Sequence, residues 1–238
     1  MLHIKEITMN ICGLQKLSMV DYPGKLAATV FTGGCNLRCP FCHNALLVTR
    51  LQESPRLETD EVLSFLKSRQ GLLDAVVLSG GEPLLQVGAA DFLAAVKNMG
   101  YLVKLDTNGC YPTALAEILA QNMVDYVAMD IKNSRKKYAS TVGIPGFDIA
   151  PVLESIRLIQ KSGVDYEFRT TAVQQFHTAE DFAAIGAWLH GSKNYYIQNF
   201  VDSGNLIGAG LTGFSKEELE SFAFSLTGDF EFIGIRGI

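Results

Sequence analysis

At 238 residues the chain is about one large domain or two small ones, and long enough to bury a substantial core. Its balance of 48% apolar and 19% charged residues is that of a globular protein and excludes a disordered one. A net charge of −5, with no block of lysine or arginine, argues against nucleic acid as the main partner.

The opening residues, MLHIKEITMN, carry no continuous apolar core and do not read as a signal peptide. No apolar run approaches the roughly 20 residues of a membrane span, so a cytoplasmic protein with no membrane partner is expected. Tyr22, Pro23 and Gly24 read as a turn. From about residue 25 the pattern alternates. Apolar runs at 26–32, 75–80, 101–107, 125–131, 165–173 and 194–201 read as buried strands. Helical spacing of apolar residues fills 58–70, 89–99, 112–121, 148–162 and 178–190, the last opening on Thr178 as N-cap. A final helix at 215–226 begins with the capping-box pair Ser215 and Glu218, and the run FEFIGI closes the chain.

Six strands, each followed by a helix, predict an α/β fold with a parallel sheet and right-handed crossovers. The polar residues of interest sit at strand C-terminal ends: Cys35, Gly80 to Glu82, Asp106 to Asn108 and Asp130 to Lys132, with Arg169 inside its strand. A barrel gathers such ends at one mouth, whereas an open doubly wound sheet spreads them along an edge. A partial (β/α)6 TIM-like barrel is therefore preferred. It is expected to be a single domain over 1–238, with residues 1–24 as an N-terminal extension packed on the barrel. The short connections leave little chain for a lid.

Three of the five cysteines, Cys35, Cys39 and Cys42, fall within eight residues. A dithiol pair at Cys39 and Cys42 leaves Cys35 without a role. Zinc needs a fourth ligand, and His43, adjoining Cys42, is poorly placed to chelate the same ion. Thiolates also favour iron–sulfur clusters. A [4Fe–4S] cube held by three cysteines keeps one iron open, whereas electron-transfer clusters of this kind take four. The spacing favours the cluster over zinc. Cys12 and Cys110 read as small apolar residues.

The CxxxCxxC arrangement, with Phe41 before the last cysteine, resembles the signature of the radical S-adenosylmethionine enzymes. SGGEP at 79–83, DTNG at 106–109 and MDIK at 129–132 resemble the later motifs of the glycyl-radical-enzyme activases, in the same order. Residues 13–44 are similar to one branch, the activating proteins of anaerobic ribonucleoside-triphosphate reductase. The resemblance implies that Cys35, Cys39 and Cys42 ligate the cluster and that methionine's amino and carboxylate groups bind the open iron. One electron then cleaves the sulfonium, and the 5′-deoxyadenosyl radical abstracts hydrogen from a glycine of a partner enzyme. It also implies flavodoxin or ferredoxin as electron donor.

Residue roles follow from the same resemblance. Glu82 would accept from the methionine ammonium, a charge-assisted bond. Phe41 would flank adenine, and Gly80 and Gly81 would let backbone approach the ligand. Asp106, Thr107 and Asp130 would hold a monovalent cation or polar groups of the cofactor. Asn108, Lys132 and Arg169 complete the expected cofactor-binding set.

Plainer readings stand beside these. Asp106 and Asp130 could cap helices. Lys132 could be a solvated lysine. Arg169, costly to bury unpaired, could meet an internal Asp or Glu as readily as a methionine carboxylate. His43 and Asn44 are expected to shape the cysteine loop by hydrogen bonds, and His177 reads as a surface or turn residue. No single residue among Gln198, Asn199 and Asp202 stands out as a contact after the sixth strand. Two other functions remain open. One is radical modification of a small molecule, as in the ring contraction of 7-carboxy-7-deazaguanine synthases. The other is a non-catalytic Fe–S or zinc protein, which the intact SGGEP disfavours.

Overall fold

The computed structural model describes residues 7–238, so residues 1–6 of the expected N-terminal extension lie outside the described residues. The chain divides into two compact units. The first holds the described residues up to 36 with 46–107 and 111–127; the second holds 37–45, 108–110 and 128–238.

In the first unit, β1 (Ile11–Ser18) pairs antiparallel with β2 (Ala27–Thr32). The turn before β2 is the one expected: Lys25 N–H donates to the Tyr22 carbonyl, and Gly24 adopts a φ of +67°. β2 pairs parallel with β3 (Ala75–Gly80), and β3 with β4 (Leu102–Thr107). The first four residues of β2 and of β3 are all buried, which is what parallel strands covered on both faces require. Helices α2 (Thr59–Ser68), α3 (Ala89–Asn98) and α4 (Pro112–Ala120) bury Val62, Leu66, Phe92, Leu93, Leu115 and Ile118. Each such side chain contributes about 1.5–3 kcal/mol by leaving water.

β5 (Tyr126–Asp130) carries the chain into the second unit. There β6 (Asp165–Ala172), β7 (Ser192–Asn199) and β8 (Phe230–Arg236) pair in parallel. Helix α6 (Ala150–Lys161) buries Val152, Ile156 and Ile159. Helix α7 (Ala179–Leu189) starts on a capping box of Thr178 and Asp181, and α8 (Lys216–Ser225) on the expected box of Ser215 and Glu218. Within each unit the strands are neighbours in chain order, without the reversal of a doubly wound sheet. The α/β class and all six expected strands are present.

Besides β8, which the closing FEFIGI run forms, three elements go beyond that reading. Short helices α1 (Ala45–Thr49) and α5 (Tyr138–Val142) fall in stretches taken as connections. β1 lies in the supposed extension: Gln15 to Leu17 are exposed, and the register shifts twice against β2, which erases the period of two.

Candidate functional site

Cys39 and Cys42 sit in the second unit on a loop closed by the Cys42 N–H donating to the Cys39 carbonyl at 3.1 Å. Cys35, half-buried, falls at the end of the first unit's opening segment. The loop is held by contacts from elsewhere in the second unit. Arg38 N–H donates to the Val142 carbonyl, and a Cβ on Gly143 would stand 2.4 Å from the Arg38 carbonyl oxygen. Gly208 N–H donates to the Pro40 carbonyl at 2.7 Å, where a Cβ would meet the Pro40 ring at 2.8 Å. His43 stacks on Phe200 at 5.4 Å, and its Nε2 lies 2.9 Å from the Val201 carbonyl oxygen. His43 thus shapes the loop as expected. Asn44 does so too, because its backbone N–H bonds the Cys42 thiol.

The stretch from Phe200 to Ser215 supplies Gly208, Phe200 and Val201, so the expectation of uniformly short connections fails here. Its glycines and scattered apolar residues give no periodic signal, and only the fold reveals their contact with the cysteine loop. Within this region Asn199 brackets Phe214 and Asp202 closes a turn onto Gly204 N–H. Phe41 is buried against Phe176 at 5.6 Å and the edge of His177 at 6.4 Å. His177 is the turn residue expected, its N–H donating to the Val173 carbonyl at 2.9 Å, but it is not at the surface: it is 2% exposed, with Nε2 3.0 Å from the Lys132 carbonyl oxygen. Burial pushes its pKa down, which keeps the ring neutral at pH 7.

Asp130, Lys132 and Arg169 come together in the second unit. Arg169 Nε donates to one Asp130 oxygen at 2.6 Å and Lys132 Nζ to the other at 2.9 Å. Asp130 is therefore not a helix cap, Lys132 is not a solvated lysine, and the internal acid foreseen for Arg169 is Asp130. Burial would raise the Asp130 pKa, but the two cations outweigh it and hold the carboxyl far below the usual range. Burial would likewise lower Lys132, yet Asp130 and the Cys39 thiol push it up. Behind this group, Arg236 makes a bidentate pair with Glu167, which is wholly buried. Sequence reasoning missed that pair, since β6 and β8 are joined only by the fold.

In the first unit the Glu82 carboxylate is fully buried and accepts from Leu84 N–H at 3.0 Å and Thr107 Oγ1 at 2.8 Å. The glycines before it serve the protein's own packing: a Cβ on Gly81 would lie 2.0 Å from the Gly34 oxygen, and one on Gly80 2.3 Å from Thr32 backbone. Asp106 accepts from Ser79 Oγ at 3.0 Å and stands 2.9 Å from Lys104 Nζ. Asn108, in the second unit, accepts from Cys110 N–H within its turn.

Residues 29–189 match the Radical SAM superfamily model. The chain is 36% identical to a protein of Methanocaldococcus jannaschii named as a glycyl-radical enzyme activating enzyme, over 80% of this chain and 79% of that one. It is 34% identical to the pyruvate formate-lyase-activating enzyme of Staphylococcus aureus, over 57% of this chain and 58% of that enzyme. Among solved structures, Streptococcus suis SuiB bound to S-adenosylmethionine matches at a TM-score of 0.64 and 14% identity, covering 84% of this chain and 48% of that one. A domain of the Bacteroides vulgatus pyruvate-formate lyase-activating enzyme matches at 0.57 and 17% identity, covering 68% of this chain and 99% of that one. These structural likenesses show the fold, the α/β partial barrel shared by radical SAM enzymes. The chain belongs to the Radical SAM superfamily and, within it, to the family of glycyl-radical enzyme activating enzymes.

Membership implies a [4Fe–4S] cluster and S-adenosylmethionine, and the loop chemistry fits the cluster. Burial pushes the Cys42 thiol up, while the Asn44 backbone N–H, Lys132 and Arg38 pull the other way, so positive charge beside the sulfur favours the thiolate that a cluster would take. Among the described residues no three His, Cys, Asp or Glu side chains form a single-ion site. A cube places each thiolate on its own iron and needs no such convergence. Among the described residues, no helix is long and apolar enough to cross a membrane.

Asp130→Asn should uncover two clustered cations. A fully buried broken pair costs about 3–5 kcal/mol; with 26% of the Asp130 side chain accessible, roughly 1–3 kcal/mol is expected in urea unfolding. Because the folded pKa is lowered, this contribution is fully present above the unfolded value of 3.8 and fades progressively as pH falls from there towards the folded one. The wild-type advantage over Asp130→Asn should therefore persist at pH 5 and shrink below about pH 4. An advantage unchanged down to pH 2 would contradict the pairing.

Proposed function

We propose that the chain activates a glycyl radical enzyme, most specifically an anaerobic ribonucleoside-triphosphate reductase, by removing a hydrogen atom from a backbone glycine. In this reading Cys35, Cys39 and Cys42 hold the cluster, with residues 1–238 acting as one domain. When bound, cluster and S-adenosylmethionine supply one-electron sulfonium cleavage and hydrogen abstraction. The chain's own groups bind and orient. Glu82 accepts from the methionine ammonium, while Lys132 and Arg169 present positive charge held in place by Asp130. Phe41 flanks adenine, and Asp106, Asn108, Gly80 and Gly81 form polar and backbone walls of the cofactor site. A flavodoxin or ferredoxin delivers the electron, and the setting is the cytoplasm.

The observation that carries this reading is the three-cysteine spacing in a chain spanning 79% of a relative named as an activating enzyme. The choice of reductase rests on the similarity of residues 13–44. Another relative is named for the activation of pyruvate formate-lyase, and the chain covers 58% of that enzyme's length.

Glu82→Gln keeps an acceptor for Leu84 N–H and Thr107 but removes the charge. Hydrogen bonds to charged groups are worth about 1.5–3 kcal/mol, so affinity for S-adenosylmethionine should fall roughly 10- to 100-fold with the cluster retained. Unchanged affinity would remove Glu82 from the cofactor site.

The function itself is tested anaerobically with reduced protein, S-adenosylmethionine and the reductase of the same organism. A glycine-centred doublet should appear by electron paramagnetic resonance, with about one 5′-deoxyadenosine per radical. Cofactor cleavage without a protein radical, accompanied by modification of a small metabolite, would overturn the activase reading.

A further inference from the structure

Lys104 lies in the middle of β4, within an apolar run, and is 3% exposed. An ammonium so placed is costly unless charge and hydrogen bonds surround it. Lys104 Nζ donates to the Asp21 carbonyl at 2.6 Å and stands 2.9 Å from Asp106 Oδ1, and the Tyr126 ring lies 6.0 Å away. Asp21 is fixed in turn, since Thr29 Oγ1 donates to its carboxylate at 2.6 Å. The second Asp106 oxygen accepts from Ser79. Lys104 and Asp106 are two residues apart on one strand, so they project from the same face, and the pairing is built into β4 itself.

Asp106 and Asp130, with Thr107, are the residues at which the family resemblance placed a monovalent cation or polar groups of the cofactor. In the first unit Asp106 has the Lys104 ammonium against it. In the second, Asp130 carries both Lys132 and Arg169. A metal ion at either carboxylate would enter beside a fixed positive charge at close range, in surroundings that screen it poorly. These residues do not fit a bound alkali cation.

We propose that the Lys104 ammonium takes the place of a metal cation at Asp106, so that cofactor binding by this chain does not depend on potassium or sodium. The inference rests on the cofactor reading above, and it assigns a task to a residue that reading leaves unused. Lys104 acts as a positioning residue: it neutralises Asp106 and ties it to the turn at Asp21.

The test uses the reconstituted, cluster-loaded full chain in potassium chloride, in sodium chloride and in tetramethylammonium chloride at equal ionic strength. Tetramethylammonium is too large for a buried carboxylate site. Wild-type affinity for S-adenosylmethionine should agree within about twofold across the three salts. Lys104→Met should lose about tenfold or more in tetramethylammonium and recover in potassium or sodium, the signature of an opened cation site. A wild-type loss of tenfold or more on removing both metal cations would overturn the proposal, as would a Lys104→Met variant indifferent to salt. If Lys104→Met does not fold, the wild-type comparison decides alone. The thermal midpoint of wild type gives a readout free of the cofactor, because a bound cation stabilises by mass action. It should be the same in all three salts, and a midpoint raised selectively by potassium or sodium overturns the proposal even if S-adenosylmethionine fails to bind in any salt. Failure of the cofactor to bind anywhere would instead overturn the cofactor reading.

Discussion

Charged side chains on buried parallel strands can be kept only if each meets a fixed opposite charge or a full set of hydrogen bonds, and Asp106, Asp130, Arg169 and Glu167 on β4, β5 and β6 each meet an opposite charge. Asp106 has Lys104 and Ser79; Asp130 has Arg169 and Lys132; Glu167 has Arg236. Truncating one member leaves the other buried and uncompensated, which is why such pairs act as rigid struts even when their net contribution to stability is small. Lys132 is fixed by Asp130, and its charge is felt at Cys39 and Cys42. A negatively charged thiolate–iron cluster is favoured beside that charge.

The cysteine loop illustrates the complementary device. A loop bearing reactive thiols has few apolar side chains with which to anchor itself, so its backbone is gripped by neighbours that can come close. Gly143 and Gly208 stand where a side chain would collide with Arg38 and Pro40, while Phe41 and His43 insert rings between partners of the second unit. Preorganising a site in this way keeps its geometry from depending on the ligand.

The sequence made much of this legible because its signals were local. Alternation of apolar runs with helical periods located β2 through β7 and their helices to within a residue or two, and the N-cap at Thr178 and the capping box at Ser215 are where the sequence places them. Cys35, Cys39 and Cys42 are candidate cluster ligands on their spacing alone. What escaped was non-local. His177 looks like a turn residue until the fold buries it beside Lys132. Arg236 and Glu167 are 69 residues apart. Lys104 drew no reading from the sequence, because its contacts with Asp21 and Asp106 exist only in the fold. β1 hid because its bulges break the two-residue period.

The central claim is that three cysteines leave one iron open to the cofactor. The most direct measurement is the electron paramagnetic resonance spectrum of the reduced, anaerobically reconstituted cluster before and after S-adenosylmethionine is added. The account predicts a changed g-tensor on addition, because the amino and carboxylate groups would bind the open iron. A spectrum unchanged by cofactor that demonstrably binds, or metal analysis giving stoichiometric zinc and no iron, would contradict it.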